Sequence, residues 1–363
     1  MRIVLTGGGT GGHAYPATSI GRAIRSEMPD CELLYIGSRN GMEEGMAAKA
    51  EIPFVGLTSR KMGRLVSFGT VLTALSLGKG FVEALGTLRR FKPDLVIGTG
   101  GYVAAAVVLA QALRGGKTLI HEQNMVPGRT NSLLARFASR ICVSFEDTLK
   151  CFPAKKTVVT GLPVRPEISS VPDKAVAREK LGLDPDRFTV LVFGGSQGAR
   201  TLNRAVASAL PRLREMPIQL FHQAGKRNFD EAEENAKSAG WADYHLRAYV
   251  DDMAAAYGSA DLIVCRSGAS TVCEITIVGL PAVFVPYPFA ITNEQRLNAR
   301  YVADHGGAVV IEDSEFTGDV LADHVERFLN SPDELQRMRE ASRKLGKPDA
   351  AHSVVAVAFD LIN

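Results

Sequence analysis

"RIVLTGGGTGGH" at residues 2–13 and "FTVLVFGGSQGA" at residues 188–199 state one pattern twice. Each is an apolar run of strand length that ends in glycines. A strand with one wet face would alternate polar and apolar residues; these runs do not, so both faces are expected to be buried. Similar runs recur along the chain: "CELLYIG" (31–37), "PDLVIGTG" (93–100), "KTLIHE" (117–122), "RICVSF" (140–145), "KTVVTG" (156–161), "IQLFHQ" (218–223), "DYHLRAYV" (243–250), "ADLIVCRSG" (260–268) and "PAVFVPYP" (281–288). Helical patterns lie between them, for example at Ala17–Glu27, Gly128–Ala138, Thr201–Leu213 and Ser270–Val278. This alternation predicts the α/β class, with parallel sheets covered by helices. Because the pattern restarts, two tandem Rossmann-like, doubly wound domains are expected, with the ligand in the cleft between the strand ends that face each other. Residues 161–187 are rich in proline and charge, which puts the boundary near residue 163. The domains are then 1–162 and 163–342, with a terminal helix at about 343–363 packing back on the first.

The composition narrows the function. The chain has 363 residues, 46% of them hydrophobic, enough for two cores. A formal charge of +3 is too mild to announce a nucleic-acid partner. Five cysteines without CxxC or Cys/His ligand spacing read as reduced, buried thiols. "MRIVLTGG" predicts no signal peptide. The uncharged stretches Leu95–Leu113 and Ile275–Asn293 are broken by "GTGGY" and by prolines, so no membrane span is expected.

Four loops fall after strands and before helices: Gly7–His13, Thr99–Tyr102, Gly194–Gly198 and Arg266–Thr271. Glycine lets backbone N–H groups approach a ligand, and a helix N-terminus favours negative charge. Any one such loop could be a tight turn and nothing more; four at strand ends argue for an anionic ligand. Gly7, Gly9 and Gly12 satisfy GxGxxG, but the ribose-binding acid expected after the second strand is missing, since Gly37 and Ser38 stand there. No Gly-Lys-Ser/Thr follows, so the P-loop reading fails as well. The only D-x-D, Asp184–Asp186, precedes a strand, so neither metal nor cofactor is predicted and loop amides are left to carry a diphosphate.

Several motifs then stand in one order: "GGTGGH" (8–13), "GTGGY" (98–102), "HEQN" (121–124), "PVR" (163–165), "GGSQGAR" (194–200), "DDMAAAY" (251–257), "CRSGASTVCE" (265–274) and "NEQRLNA" (293–299). By these the chain resembles, over essentially its whole length, the MurG family of bacterial cell-wall glycosyltransferases of the GT-B class. The resemblance implies an inverting transfer of N-acetylglucosamine (GlcNAc) from UDP-GlcNAc to undecaprenyl-pyrophosphoryl-N-acetylmuramyl-pentapeptide. It implies that Ser196 and its glycine neighbours hold the UDP diphosphate, with Arg165 and Val250 by the nucleotide. Ala269, Ser270, Thr271, Val272, Cys273 and Glu274 would form a helix start under the UDP, the Glu274 carboxylate taking bonds from ribose hydroxyls. Gln295 and Glu294 would read GlcNAc hydroxyls. Asn124 and the Thr10, Gly11 and Gly12 backbone would face the sugar from the other domain. The chain departs from the family pattern at Leu162, Cys273 and Glu294.

The acceptor hydroxyl must lose a proton as it attacks, and an imidazole with a pKa near ~6.5 suits that task. His13 is the candidate base; its alternative is a hydrogen bond at a helix terminus. Glu122, beside His121, is the other candidate base or an orienting group. Residues 60–92 hold seven Lys/Arg and one acid around an uncharged Leu65–Gly78. That segment reads either as buried helices or as a basic-rimmed patch for an anionic inner-membrane surface. The resemblance favours the patch, and with it a peripheral location on the cytoplasmic face and partners among cell-wall or division proteins. Competing readings are a UDP-GlcNAc 2-epimerase, another GT-B lipid glycosyltransferase and a non-catalytic UDP-sugar-binding scaffold.

Overall fold

A computed structural model describes residues 1–58, 69–195, 197–290 and 292–363, with only the backbone helix described over 69–77. The chain forms two compact units, Met1–Arg165 with Lys347–Asn363, and Pro166–Gly346.

In the first unit the strands are β1 (Arg2–Thr6), β2 (Glu32–Ser38), β3 (Phe54–Leu57), β4 (Leu95–Gly98), β5 (Lys117–Glu122), β6 (Arg140–Val143) and β7 (Thr157–Val159). They pair in parallel in the order β3-β2-β1-β4-β5-β6-β7. The unbroken apolar runs are explained by the two faces. Ile3, Leu5, Leu33, Leu95 and Ile97 pack into one cluster with Ile20, Ile24, Val354 and Val355. Val4, Leu34, Ile36, Val96 and Ile120 pack into another with Leu88, Val107 and Val108. Alternate side chains thus enter different cores, each burial stabilising by roughly 1.5–3 kcal/mol. The terminal helix Ala350–Ile362 belongs to this unit and closes the first cluster.

In the second unit the strands are β8 (Phe188–Phe193), β9 (Ile218–Gln223), β10 (Tyr244–Arg247), β11 (Leu262–Cys265), β12 (Ala282–Phe284) and β13 (Ala308–Val310). Their order, β10-β9-β8-β11-β12-β13, repeats the topology of the first sheet. Helix Arg200–Leu213 lays Leu202, Val206, Ala209 and Leu213 on this sheet at helical spacing, and helix Gly318–Leu329 adds Leu321, Val325 and Phe328. Asp261, just before β11, gathers Lys174, Arg178 and Arg339 and also accepts the Thr189 N–H. In each sheet the chain reverses direction beside its first strand, between β1 and β4 and between β8 and β11. Loops at such a switch point open a crevice beyond the C-terminal strand ends.

The strands β3 and β13 and the start of the first helix differ from expectation. Both strands are short sheet edges. The helix spans Gly11–Glu27 rather than starting after Pro16. Proline at 16 removes an N–H that would have met the Gly12 carbonyl, and Gly12 is exposed, where water can take that bond. Cys31, Cys142, Cys265 and Cys273 are buried free thiols, while Cys151 is free but exposed, against expectation, on a short 3₁₀ turn. No helix among the described residues is long and apolar enough to cross a membrane. The basic–apolar segment falls partly outside the description: residues 60–68 and the side chains of 69–77 are not described.

Candidate active site

The first glycine cluster sits at the switch point of the first sheet. The loops after β1 and β4 are braced to each other. Thr99 N–H donates to the Thr6 carbonyl at 2.9 Å, Gly8 N–H to the Gly100 carbonyl at 3.3 Å, and Thr99 Oγ1 to the His13 carbonyl at 2.7 Å. Tyr35 from β2 donates its hydroxyl to the Gly7 carbonyl at 2.6 Å. Glycine is required at 101, where φ is +88° and a Cβ would lie 2.3 Å from the Gly8 oxygen.

His13 lies in the first helical turn rather than in the loop. Its Nδ1 is 3.2 Å from the Gly8 carbonyl and 3.3 Å from Thr10 Oγ1. A carbonyl only accepts, so the Gly8 bond requires the proton on Nδ1. Nε2 is then left with a lone pair, and no described residue bonds to it. The imidazole lies along Gly100, where a Cβ would stand 3.1 Å from Nε2. Burial lowers the His13 pKa from its ordinary value, against the opposing pull of the Gly8 carbonyl and the Glu122 charge. A neutral imidazole with an unbonded lone pair on Nε2 can take a proton from a bound hydroxyl. Thr10, Gly11 and Gly12 form the turn that enters this helix, Thr10 as its cap.

Glu122 ends β5 and is 1% exposed. Both oxygens are occupied. Oε1 accepts Asn124 N–H at 3.0 Å and Asn124 Nδ2 at 3.4 Å; Oε2 accepts Gly128 N–H at 3.1 Å and Asn131 Nδ2 at 2.9 Å. Such a carboxylate holds its loop in shape and has little capacity left to receive a substrate proton. It places Asn124 and, through its charge, acts on His13. His121 beside it is fully buried, bonds the Gly161 carbonyl at 2.9 Å, and has its pKa pushed down to about 4 by burial. Arg165 ends the first unit with its guanidinium 5.5 Å from the centre of the Tyr15 ring. Leu162 is buried.

The second glycine cluster sits at the equivalent switch point, after β8 and β11. Gly195 has φ +86°, and a Cβ there would meet nothing within 4 Å, so the loop is open on that side. Ser196 lies outside the described residues. Helix Ala269–Val278 starts just after β11, capped by Gly268, and its unpaired N–H groups favour an anion. Ala269, Ser270, Thr271 and Val272 make its first turn, and Cys273 and Glu274 follow, both buried. Glu274 Oε2 accepts the Tyr257 hydroxyl at 2.8 Å. Val250 is buried with its N–H on Gln223 Oε1 at 2.8 Å. Glu294 and Gln295 open helix Glu294–Asp304. Glu294 Oε2 accepts Thr292 Oγ1 at 2.7 Å, and Gln295 Oε1 accepts Tyr287 N–H at 3.0 Å. Ser267 Oγ donates to the Gln295 carbonyl at 2.8 Å, tying that helix start to the loop after β11.

Sequence reasoning passed over the groups that hold these loops. Tyr257 and Ser267 stand inside "DDMAAAY" and "CRSGASTVCE" and Gln223 ends "IQLFHQ", but their contacts join segments distant in the chain, which no motif shows.

Comparison with known proteins follows the same two halves. The glycosyltransferase family 28 N-terminal domain matches residues 3–143 and the family 28 C-terminal domain matches residues 189–354. A UDP-N-acetylglucosamine--N-acetylmuramyl-(pentapeptide) pyrophosphoryl-undecaprenol N-acetylglucosamine transferase of Desulforudis audaxviator is 44% identical, over 98% of this chain and 97% of its own. The crystal structure of Acinetobacter baumannii MurG superposes with a TM-score of 0.80 at 32% identity, covering 99% of each chain. A UDP-GlcNAc 2-epimerase of Neisseria meningitidis, solved with UDP-GlcNAc, shares the fold at a TM-score of 0.71 but only 12% identity, over 99% of this chain and 100% of its own. Two parallel Rossmann-like sheets in GT-B order, both family domains in sequence and end-to-end identity with such transferases lead to one conclusion: the chain belongs to glycosyltransferase family 28, in its MurG group.

Proposed function

We propose that the protein is an inverting glycosyltransferase that moves GlcNAc from UDP-GlcNAc to the 4-hydroxyl of the N-acetylmuramyl group in undecaprenyl-pyrophosphoryl-N-acetylmuramyl-pentapeptide. The observation that carries this reading is the 44% identity, spanning both units, with a transferase named for that reaction. The epimerase likeness, at 12% identity, extends to the fold alone.

The second unit takes the donor. Loop amides around Ser196 and the N-terminus of helix Ala269–Val278 stabilise the diphosphate as the sugar–oxygen bond breaks and its electron pair leaves with UDP. Val250 and Arg165 contact the nucleotide, Glu274 accepts from the ribose hydroxyls, and Glu294 and Gln295 read the sugar. The first unit takes the acceptor. His13 Nε2 receives the proton of the attacking hydroxyl, with Thr10–Gly12 and Asn124 beside it. Support for His13 over Glu122 comes from their surroundings: one has an unoccupied lone pair, the other two saturated oxygens. A single displacement at the anomeric carbon inverts it and needs no carboxylate nucleophile. The basic–apolar residues 60–92 rest on the anionic cytoplasmic face of the cell membrane, where a lipid-linked acceptor is found.

Transfer of labelled GlcNAc to the lipid-linked acceptor, with UDP release followed with and without it, tests the reading. UDP release that depends on the acceptor is expected. Acceptor-independent conversion of UDP-GlcNAc would show an epimerase instead, and UDP binding without turnover on the authentic acceptor would show a scaffold.

A further inference from the structure

Gln223 ends β9 and is 3% exposed. Its amide reaches in two directions. Nε2 donates to the Gly195 carbonyl at 3.1 Å, and Oε1 accepts the Val250 N–H at 2.8 Å. Gly195 lies in the loop after β8 and Val250 follows β10, while β9 runs between these two strands in the sheet. One planar group therefore spans the two segments given the diphosphate and the nucleoside above. A side-chain amide presents a donor and an acceptor at a fixed spacing, whereas an ionised carboxylate and a thioether have no donor.

The surroundings leave these segments little slack. Gly198, at φ +76°, packs so closely that a Cβ would lie 1.9 Å from the Ala224 oxygen, and a Cβ on Gly225 would lie 2.2 Å from Gly198 N. Asn228 Nδ2 donates to the Gln197 carbonyl at 3.2 Å, and Asn203 Nδ2 to the Ala224 carbonyl at 2.9 Å. The loop after β8 and the turn after β9 are thus interlocked by backbone contact. Gln223 extends that lock sideways to Val250.

We propose that Gln223 is a positioning residue for the nucleotide donor, setting the diphosphate loop and the nucleoside-contacting segment at the separation UDP requires. It does so without touching the substrate itself. The proposal rests on the donor site inferred above.

A purely structural role is separable from this one because β9 carries an internal control. Gln219 lies on the same face of the strand, is fully buried, and bonds Asp184 N–H at 2.9 Å and the Asp184 carbonyl at 2.8 Å, at the end away from the loops. Gln223→Met and Gln219→Met should both lower the melting temperature. Only Gln223→Met should raise the donor KM and the UDP Kd, each about ten-fold, with the acceptor KM unchanged. Gln223→Glu keeps the acceptor for Val250 and loses the donor to Gly195. Its UDP affinity, normalised to the unmodified chain at each pH, should recover as the pH falls and its carboxyl gains an O–H for Gly195. A UDP Kd within two-fold of normal in folded Gln223→Met overturns the proposal. If Gln223→Met does not fold, a normal, pH-independent UDP Kd in Gln223→Glu overturns it. Failure of the unmodified chain to bind UDP in calorimetry would bring down the donor reading and this role together; normal binding lost equally in Gln219→Met would bring down this role alone.

Discussion

At the scale of single residues the site depends on protonation and on filled lone pairs. In the base role proposed for it, His13 must be neutral, and burial lowers its pKa, so the neutral form persists below an ordinary imidazole value of ~6.5. The acid limb of kcat/KM should therefore lie below that value, with the rate falling as pH drops through it. His13→Gln should cut kcat by about 10²- to 10⁴-fold, leave the UDP Kd unchanged and abolish that limb. An acid limb that survives in His13→Gln would assign the base elsewhere. The motif "GGTGGH" put His13 forward as a candidate base, with a hydrogen bond at a helix terminus as its alternative; the Nδ1 contact with the Gly8 carbonyl is such a bond, and it leaves Nε2 for the proton. Glu122 was equally visible in "HEQN", but its four N–H partners were not. Three of them, on Asn124 and Gly128, come from the loop that the carboxylate itself shapes, and the fourth from Asn131 in the helix beyond. A sequence shows a carboxylate; it does not show how full its oxygens are.

At the scale of elements, the apolar runs were legible because each strand feeds two cores. The strands passed over, Phe54–Leu57 and Ala308–Val310, are edges. Both are apolar, FVGL and AVV, but at 4 and 3 residues they are too short to stand out as strand-length runs in the sequence. The loops present the opposite case, since glycine is conspicuous in sequence while the reason for each glycine is not. Gly9 has φ +85° but open space around it, whereas Gly101 has φ +88° and the Gly8 oxygen 2.3 Å from its absent Cβ. Alanine at 9 faces only the left-handed backbone cost, about 1–2 kcal/mol. Alanine at 101 faces that cost plus a clash with backbone that cannot turn aside. Denaturant titration should find Gly101→Ala the more destabilised by at least about 1 kcal/mol, and its kcat should fall, because pushing the β1 and β4 loops apart moves Gly100 away from His13. Equal midpoints for the two variants would mean the switch-point loops are looser than their hydrogen bonds indicate.

At the scale of the whole molecule, the duplicated order of the sheets was readable from the restart of the pattern at Phe188, and the shared topology bears on how the chain is partitioned. The last helix belongs to the first unit although the entire second unit precedes it in sequence. Its Val354, Val355 and Ala358 are fully buried in the cluster that holds Ile3, Leu5, Ile20 and Ile24. His352 also meets Glu27 at 2.6 Å and Lys117 Nζ donates to the Ile362 carbonyl at 2.9 Å, but both ties are exposed and contribute little beside the apolar contacts. Two buried valines at roughly 1.5–3 kcal/mol each, with the partners they cover, approach the 5–15 kcal/mol that holds a typical domain together. A chain ended after Gly346 should therefore lose the first unit's folding transition in calorimetry while the second unit still melts cooperatively and binds UDP. Glycosyl transfer should vanish, since the helix turn that carries His13 follows the strand that Ile3 and Leu5 anchor. The strands would be intact in sequence but open on one face, and an open apolar face of that kind aggregates rather than folds. Unchanged melting of both units in the shortened chain would show that the helix only decorates the first core, and that Ile20 and Ile24 find their stabilisation without it.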